Sequence, residues 1–511
     1  MIVTGSLVKP ALENNFDCVH SLDDVSRPIR STTLSRGNDT KILALAIVRC
    51  GVRMIQLGVD IPLFMASTVS IGFGTLSGEV GIWRYLAWKR AVPYWIKVGH
   101  AHLTWWTMFL VLASLLLPGL AVELWVKAAV VVLGFLFPLA WLAAMYVYYE
   151  KGGPTLSKIL MPVMEILGFG SLWVVFIAAS GIQLPLISTS TPVLQSKFEI
   201  LSGIWLPNEI FLIPALVATV GILVAWMIAF LFYRVSPHKP ITPAALVQTH
   251  NHLAMIAGSA VLMLMILSLL GVNHIVFEAG YLLAAASLSL LVVGMLAFVL
   301  FKGHSILWIA PTGLFYVLVV LAFLASTGIL PTGPFTGGVG AFGTFPALRV
   351  SLSLALAMIL ITAAIGPYIG LRWDRSPDMT VTYSQPEGKP YPGPYPTEYM
   401  GTQPVGGTPR GLENAHLSPG SWLHVVVSWL LMLIVAGSII FGSLLHMPDL
   451  AYLFAITIPM APIFNLSGRL LAWRNVPNGI GSLYFAGHPI KGFNIIALFV
   501  VSIIALYAMA L

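Results

Sequence analysis

Charge is scarce in this sequence. Only 9% of its 511 residues are Asp, Glu, Lys or Arg, where a soluble globular chain carries roughly a quarter. That shortage argues against a water-facing surface wrapped around globular cores. Cysteine is nearly absent: Cys18 and Cys50 are too few for a disulfide framework and lack metal-ligand spacing. Carboxylates are sparse too, which leaves calcium or magnesium poorly supplied with ligands. The first 53 residues hold seven Lys/Arg and no apolar run near Met1, so no signal peptide is expected there. The net charge of +7 comes from basic residues scattered between apolar runs, the pattern of loops beside lipid rather than of a nucleic-acid patch.

What the chain does have is hydrophobic length. It is 58% hydrophobic, and many runs reach the roughly 20 residues that cross a bilayer. The expected fold is all-α: a polytopic membrane helix bundle of about twelve transmembrane helices, multi-pass in the cell (plasma) membrane. Residues 1–53 read as a polar N-terminal segment and 54–371 as transmembrane helices one to nine, beginning with a span over about 54–76. Residues 372–420 read as a Pro/Gly-rich extramembrane loop and 421–511 as helices ten to twelve. The stretch Pro392-Gly393-Pro394-Tyr395-Pro396 lies in a segment too polar and Pro-rich to fold alone. Orientation stays open. Lys and Arg between the spans are concentrated on the side of the paired histidines, which places that side in the cytoplasm, but the basic N-terminal segment falls on the other side.

An internal repeat runs through the apolar part. Gly99-His100-Ala101-His102-Leu103 returns as Thr249-His250-Asn251-His252-Leu253, and Lys151-Gly152 returns as Lys302-Gly303. Ser180-Gly181-Ile182 is echoed by Thr327-Gly328-Ile329, and Pro214-Ala215-Leu216 by Pro346-Ala347-Leu348. The unit is about four helices, so spans two, six and ten are equivalent, run in the same direction and carry His100/His102, His250/His252 and His424.

On a helix, residues i and i+2 lie about 200° apart. The imidazoles of one His-x-His therefore cannot grip a single metal together, although they can serve two sites. An imidazole inside a span needs a partner, and intramembrane ionisable groups are functional candidates. Neutral imidazole suits haem iron and copper. His238, His274, His304, His416, His446 and His488 read as ordinary interfacial histidines. Glu165, inside span four, and Asp60, in span one, are proton-relay candidates, since a buried carboxyl is held protonated by desolvation; a neutral acid bonded to a neighbouring helix is the alternative. Trp83, Trp88, Trp95, Trp105 and Trp106 read as an interfacial belt, with packing against a cofactor edge as the other reading.

With these motifs the sequence resembles the catalytic subunit of the haem-copper oxidase superfamily, in its nitric oxide reductase and cbb3-like branch, as a divergent member. The resemblance implies twelve spans in three groups of four and an oxidoreductase of the respiratory chain. It implies b-type haem held by His100 with His424, and a second haem or a copper held by His250 or His252. It also implies a cytochrome or other electron-transfer subunit as partner, besides the lipid bilayer. The chain departs from that pattern. The family's His-x-His belongs on span ten, where this chain offers His424 alone, and span seven lacks the adjacent His-His pair of the copper site. The functional expectation is thus a haem-binding membrane electron-transfer protein without a complete reducing centre. A membrane transporter and a non-catalytic anchor subunit of a cytochrome complex are the alternatives.

Overall fold

The computed structural model of the chain describes residues 54–75, 94–150, 155–194, 198–217, 219–220, 223, 244–301, 306–331, 349–350, 352–357 and 359–361. Helix dominates them. In chain order they form β1 (Met54–Asp60), α1 (Ile61–Thr75), α2 (Tyr94–Leu116), α3 (Leu124–Glu150), α4 (Thr155–Ala179), β2 (Glu199–Pro207), α5 (Ala244–Leu269), α6 (His274–Phe301) and α7 (Ile306–Ser326). Two stretches, Leu124–Ala144 of α3 and His274–Gly294 of α6, are long and apolar enough to cross a membrane. Their outward faces are apolar as well: Val132, Leu136 and Leu139 on α3, and Leu282, Leu290 and Val293 on α6, are all exposed. A helix that is hydrophobic all round has lipid or protein on every side.

The repeat read from short motifs has a structural counterpart. Helices α2 and α5 begin at residues 94 and 244, and α3 and α6 at 124 and 274, an offset of 150 in both cases. At that same offset the buried stripes coincide: positions 127, 130, 134, 137, 138, 141 and 144 of α3 are buried, and so are 277, 280, 284, 287, 288, 291 and 294 of α6. The spacing of three and four is that of one helix face. Helices α4 and α7 end in the same turn, with Gly181 at φ 81° and Gly328 at φ 82°, each donating its N–H to a carbonyl three residues back, Ala178 and Ala325 at 3.1 Å. Only glycine takes this left-handed conformation without strain, which explains why the Ser-Gly-Ile and Thr-Gly-Ile echoes fall where they do.

The all-α expectation omits a two-stranded sheet. The span expected over about 54–76 is strand β1 followed by the 15-residue helix α1, and Glu199–Pro207, beyond the end of α4, is strand β2. The strands pair antiparallel, from Met54↔Pro207 to Asp60↔Glu199, with an irregularity between Gln56 and Gly58. Two side chains satisfy the backbone there: Ser202 Oγ donates to the Leu57 carbonyl at 2.9 Å, and Gln56 Nε2 donates to the Ser202 carbonyl at 2.6 Å. The break between strand and helix comes from Asp60, whose Oδ1 accepts the Leu63 N–H at 2.7 Å as an N-cap. Pro62 follows in the first turn, where its missing N–H costs nothing.

The sheet lies against the 3₁₀ turn Leu117–Gly119 that ends α2. A Cβ on Gly119 would run into the Gln56 carbonyl, and one on Gly58 would meet Pro118 at 2.9 Å. The sheet thus sits at the C-terminal end of α2, and the paired histidines lie near the start of that helix, at the opposite end.

Candidate functional site

The site is built on the first turns of α2. His102 stacks on Trp141 of α3, ring centroids 4.6 Å apart and planes 25° from parallel, and meets Trp106 one turn further along α2 edge-on at 5.6 Å. Trp106 and Trp141 are themselves perpendicular at 5.3 Å, and Trp106 also packs on Phe137 of α3 and Phe169 of α4. Aromatic pairs of this kind favour tilted, offset or edge-to-face geometry because of their quadrupoles. Phe137 fits because α4 presents Gly168 there: a Cβ at that position would overlap the Phe137 ring. Small residues at helix crossings let membrane helices approach in just this way.

Trp106 is 1% exposed, so it belongs to the interior and not to an interfacial belt. Trp141 is also buried, and its indole Nε1 has no hydrogen-bond partner among the described residues. A buried N–H without an acceptor is a costly and uncommon feature, and here it adjoins the one paired histidine whose side chain is described. Just past His102, the Leu103 carbonyl accepts two hydroxyls, Ser70 Oγ of α1 at 3.0 Å and Thr107 Oγ1 at 2.7 Å. The Ser70 bond ties α1 to α2.

The two His-x-His helices meet. A Cβ on Gly258 of α5 would lie 2.8 Å from Met108 Cε and 2.9 Å from Phe109 Cε1 of α2. Gly258 stands at the position equivalent to Met108, so corresponding points of the two units cross in the core. Both helices run toward the sheet end, since α2 leads into the turn beneath β1 and α5 contacts the 3₁₀ turn Asn208–Phe211 that follows β2. Their histidine ends therefore point the same way. His100 lies on α2, and His250 and His252 lie on α5, but the side chains of these three are outside the described residues, as is that of Glu165 on α4. His424 and the rest of 421–511 are outside them too. Among the described residues, no group of three or more His, Cys, Asp or Glu is placed to hold a metal.

Asp60 belongs to a second, separate cluster at the sheet end. Glu199, its register partner on β2, receives the Lys127 ammonium of α3 at 3.4 Å, with both side chains fully buried. Lys127 Nζ also donates to the Pro118 carbonyl at 3.1 Å. Burial pushes the Asp60 carboxyl up to about 6, against the lowering effect of the Leu63 N–H. At 1.5 Å per residue along α3, Lys127 lies about 21 Å from Trp141, so the two clusters are chemically independent. His274 Nδ1 lies 3.7 Å from the Glu278 carboxylate one turn on, both side chains partly exposed.

No family model matches the chain, and no curated protein and no solved structure matches it.

Proposed function

We propose that the chain is a haem-binding integral membrane protein of electron transfer, similar to a haem-copper oxidase catalytic subunit, with about twelve spans in three groups of four in the cell membrane. The observation that supports this most is His102 seated among Trp106, Trp141 and the neighbouring phenylalanines, on a helix that packs against the second His-x-His helix through Gly258.

The surroundings of His102 fit a haem. They are apolar and aromatic, and they include in Trp141 a buried N–H donor without an acceptor, which suits a haem carboxylate. His100 with His424 would hold a b-type haem on one face of α2, and on the opposite face His102 would border the second site, where His250 or His252 would bind a second haem or copper. Bound haem supplies a one-electron carrier. The chain contributes the rest: the imidazoles set by their helix, and the rings of Trp106, Phe137 and Phe169, which exclude water. A cytochrome or other electron-transfer subunit is the partner this reading requires.

A reduced-minus-oxidised visible spectrum of the purified protein, with iron and copper quantified on the same sample, tests it. Sharp b-type bands with stoichiometric iron are expected, and copper alongside iron would extend the reading to reduction of oxygen or nitric oxide. Folded protein with neither metal would overturn it in favour of transport or anchoring.

A further inference from the structure

We infer that Asp60, Glu199 and Lys127 form a proton-binding site at the end of the bundle opposite the histidines, two carboxylates and one ammonium that hold a single proton when neutral and release it as the pH rises.

The argument begins with charge. Asp60 and Glu199 stand directly opposite each other at the end of the β1–β2 ladder, where like charges repel. Asp60 is 2% exposed and Glu199 5%, and the Lys127 side chain is wholly buried. With both carboxylates ionised the trio carries one net negative charge out of water, and one proton removes it. Protonation is the least costly compensation for a charge buried in this way. Among the described residues, the charged groups facing Asp60 are Glu199 from β2 and Lys127 from α3. The other segments packed here, α1, the last turns of α2 and the turn Leu117–Gly119, have no titratable side chain. Burial holding Asp60 near 6 agrees with a proton that is exchanged at ordinary pH.

The repeat supplies an independent argument. The position equivalent to Lys127 in the second unit is Phe277, which is equally buried. The same helix start thus packs well with an apolar side chain, and the fold does not require an ammonium there. Lys127 is also the only charged residue within Leu124–Ala144. A lone charge in a membrane helix is costly and marks a functional place.

The test is infrared difference spectroscopy on the full-length protein in lipid nanodiscs, titrated from about pH 8 to about pH 5 to bracket ordinary and raised carboxyl values. It reads the carbonyl stretch of protonated carboxyl groups and needs no haem, so its failure is distinguishable from failure of the electron-transfer reading. The wild-type protein should gain buried-carboxyl intensity as the pH falls, and Asp60→Asn should remove one component of it. Glu199→Gln leaves Asp60 alone with Lys127 and should move the titration to lower pH, whereas Lys127→Met should move it to higher pH. A titrating intensity unchanged in Asp60→Asn, or a component that shifts in the same direction in the other two variants, would overturn the site. If Asp60→Asn does not fold, the opposed shifts of the other two decide.

Discussion

His102 and Trp141 lie face to face, 4.6 Å between ring centroids, although they come from different helices and are 39 positions apart in the sequence. The stack fixes the plane of the imidazole while leaving its edge, where both nitrogens lie, to other partners. Trp141→Phe keeps an aromatic face against His102 while deleting the orphaned N–H together with part of the ring. The expected result is retained haem with a shifted reduction potential, read by a spectroelectrochemical titration. An unchanged potential would mean that the indole donor does not face the haem.

His100 and His424 are the pair proposed to hold the b-type haem. His100→Ala and His424→Ala should each remove the same b-type band from the reduced-minus-oxidised spectrum. Retention of that band in both variants would remove the pairing.

Gly258 admits α5 to within contact of Met108 and Phe109. Gly258→Leu forces a large side chain into that crossing, and overpacking of this kind costs roughly 1–3 kcal/mol. A lower melting temperature in detergent is expected, with loss of haem if the two histidine helices must stay adjacent to hold it. An unaltered melting curve would count against the crossing.

Asp60 gives stability a pH dependence of definite sign. Its carboxyl rises from 3.8 to about 6 on folding, so between those values the folded state binds the proton more tightly. Its contribution is greatest below about pH 4, is lost as the pH rises to about 6, and totals ~3 kcal/mol. Asn resembles the protonated acid and also caps a helix well. The stability of Asp60→Asn relative to wild type should therefore improve as the pH rises through that window, in parallel thermal melts. A constant difference would show that Asp60 does not titrate there.

Lys127→Ala removes from Glu199 and Asp60 the buried ammonium that faces them both. Breaking a buried pair from one side typically costs about 3–5 kcal/mol, so a large fall in melting temperature is expected. Lys127→Phe combined with Glu199→Gln copies the apolar arrangement at Phe277 and should recover most of the loss. Failure of the double variant to improve on Lys127→Ala would mean that the two units pack differently at this point.

Composition by itself pointed to lipid as solvent, because so few charges cannot cover a soluble surface, and the structure adds two helices, α3 and α6, that are long and apolar enough to cross a membrane and are apolar on their exposed faces too. The unit of repetition was also legible, since Gly181 and Gly328 must be glycine to take a positive φ and the His-x-His-Leu starts are spelled out. Tertiary structure decided what periodicity cannot carry. The pairing of Met54–Asp60 with Glu199–Pro207 joins segments separated by well over a hundred residues, and apolar residues before a cap read equally well as the start of a helix. It was likewise the fold that turned Trp106 inward and laid Trp141 on His102, and that brought Lys127 to Glu199 and Asp60. A sequence gives each side chain's place along its own helix, whereas its neighbours are set by how the helices cross.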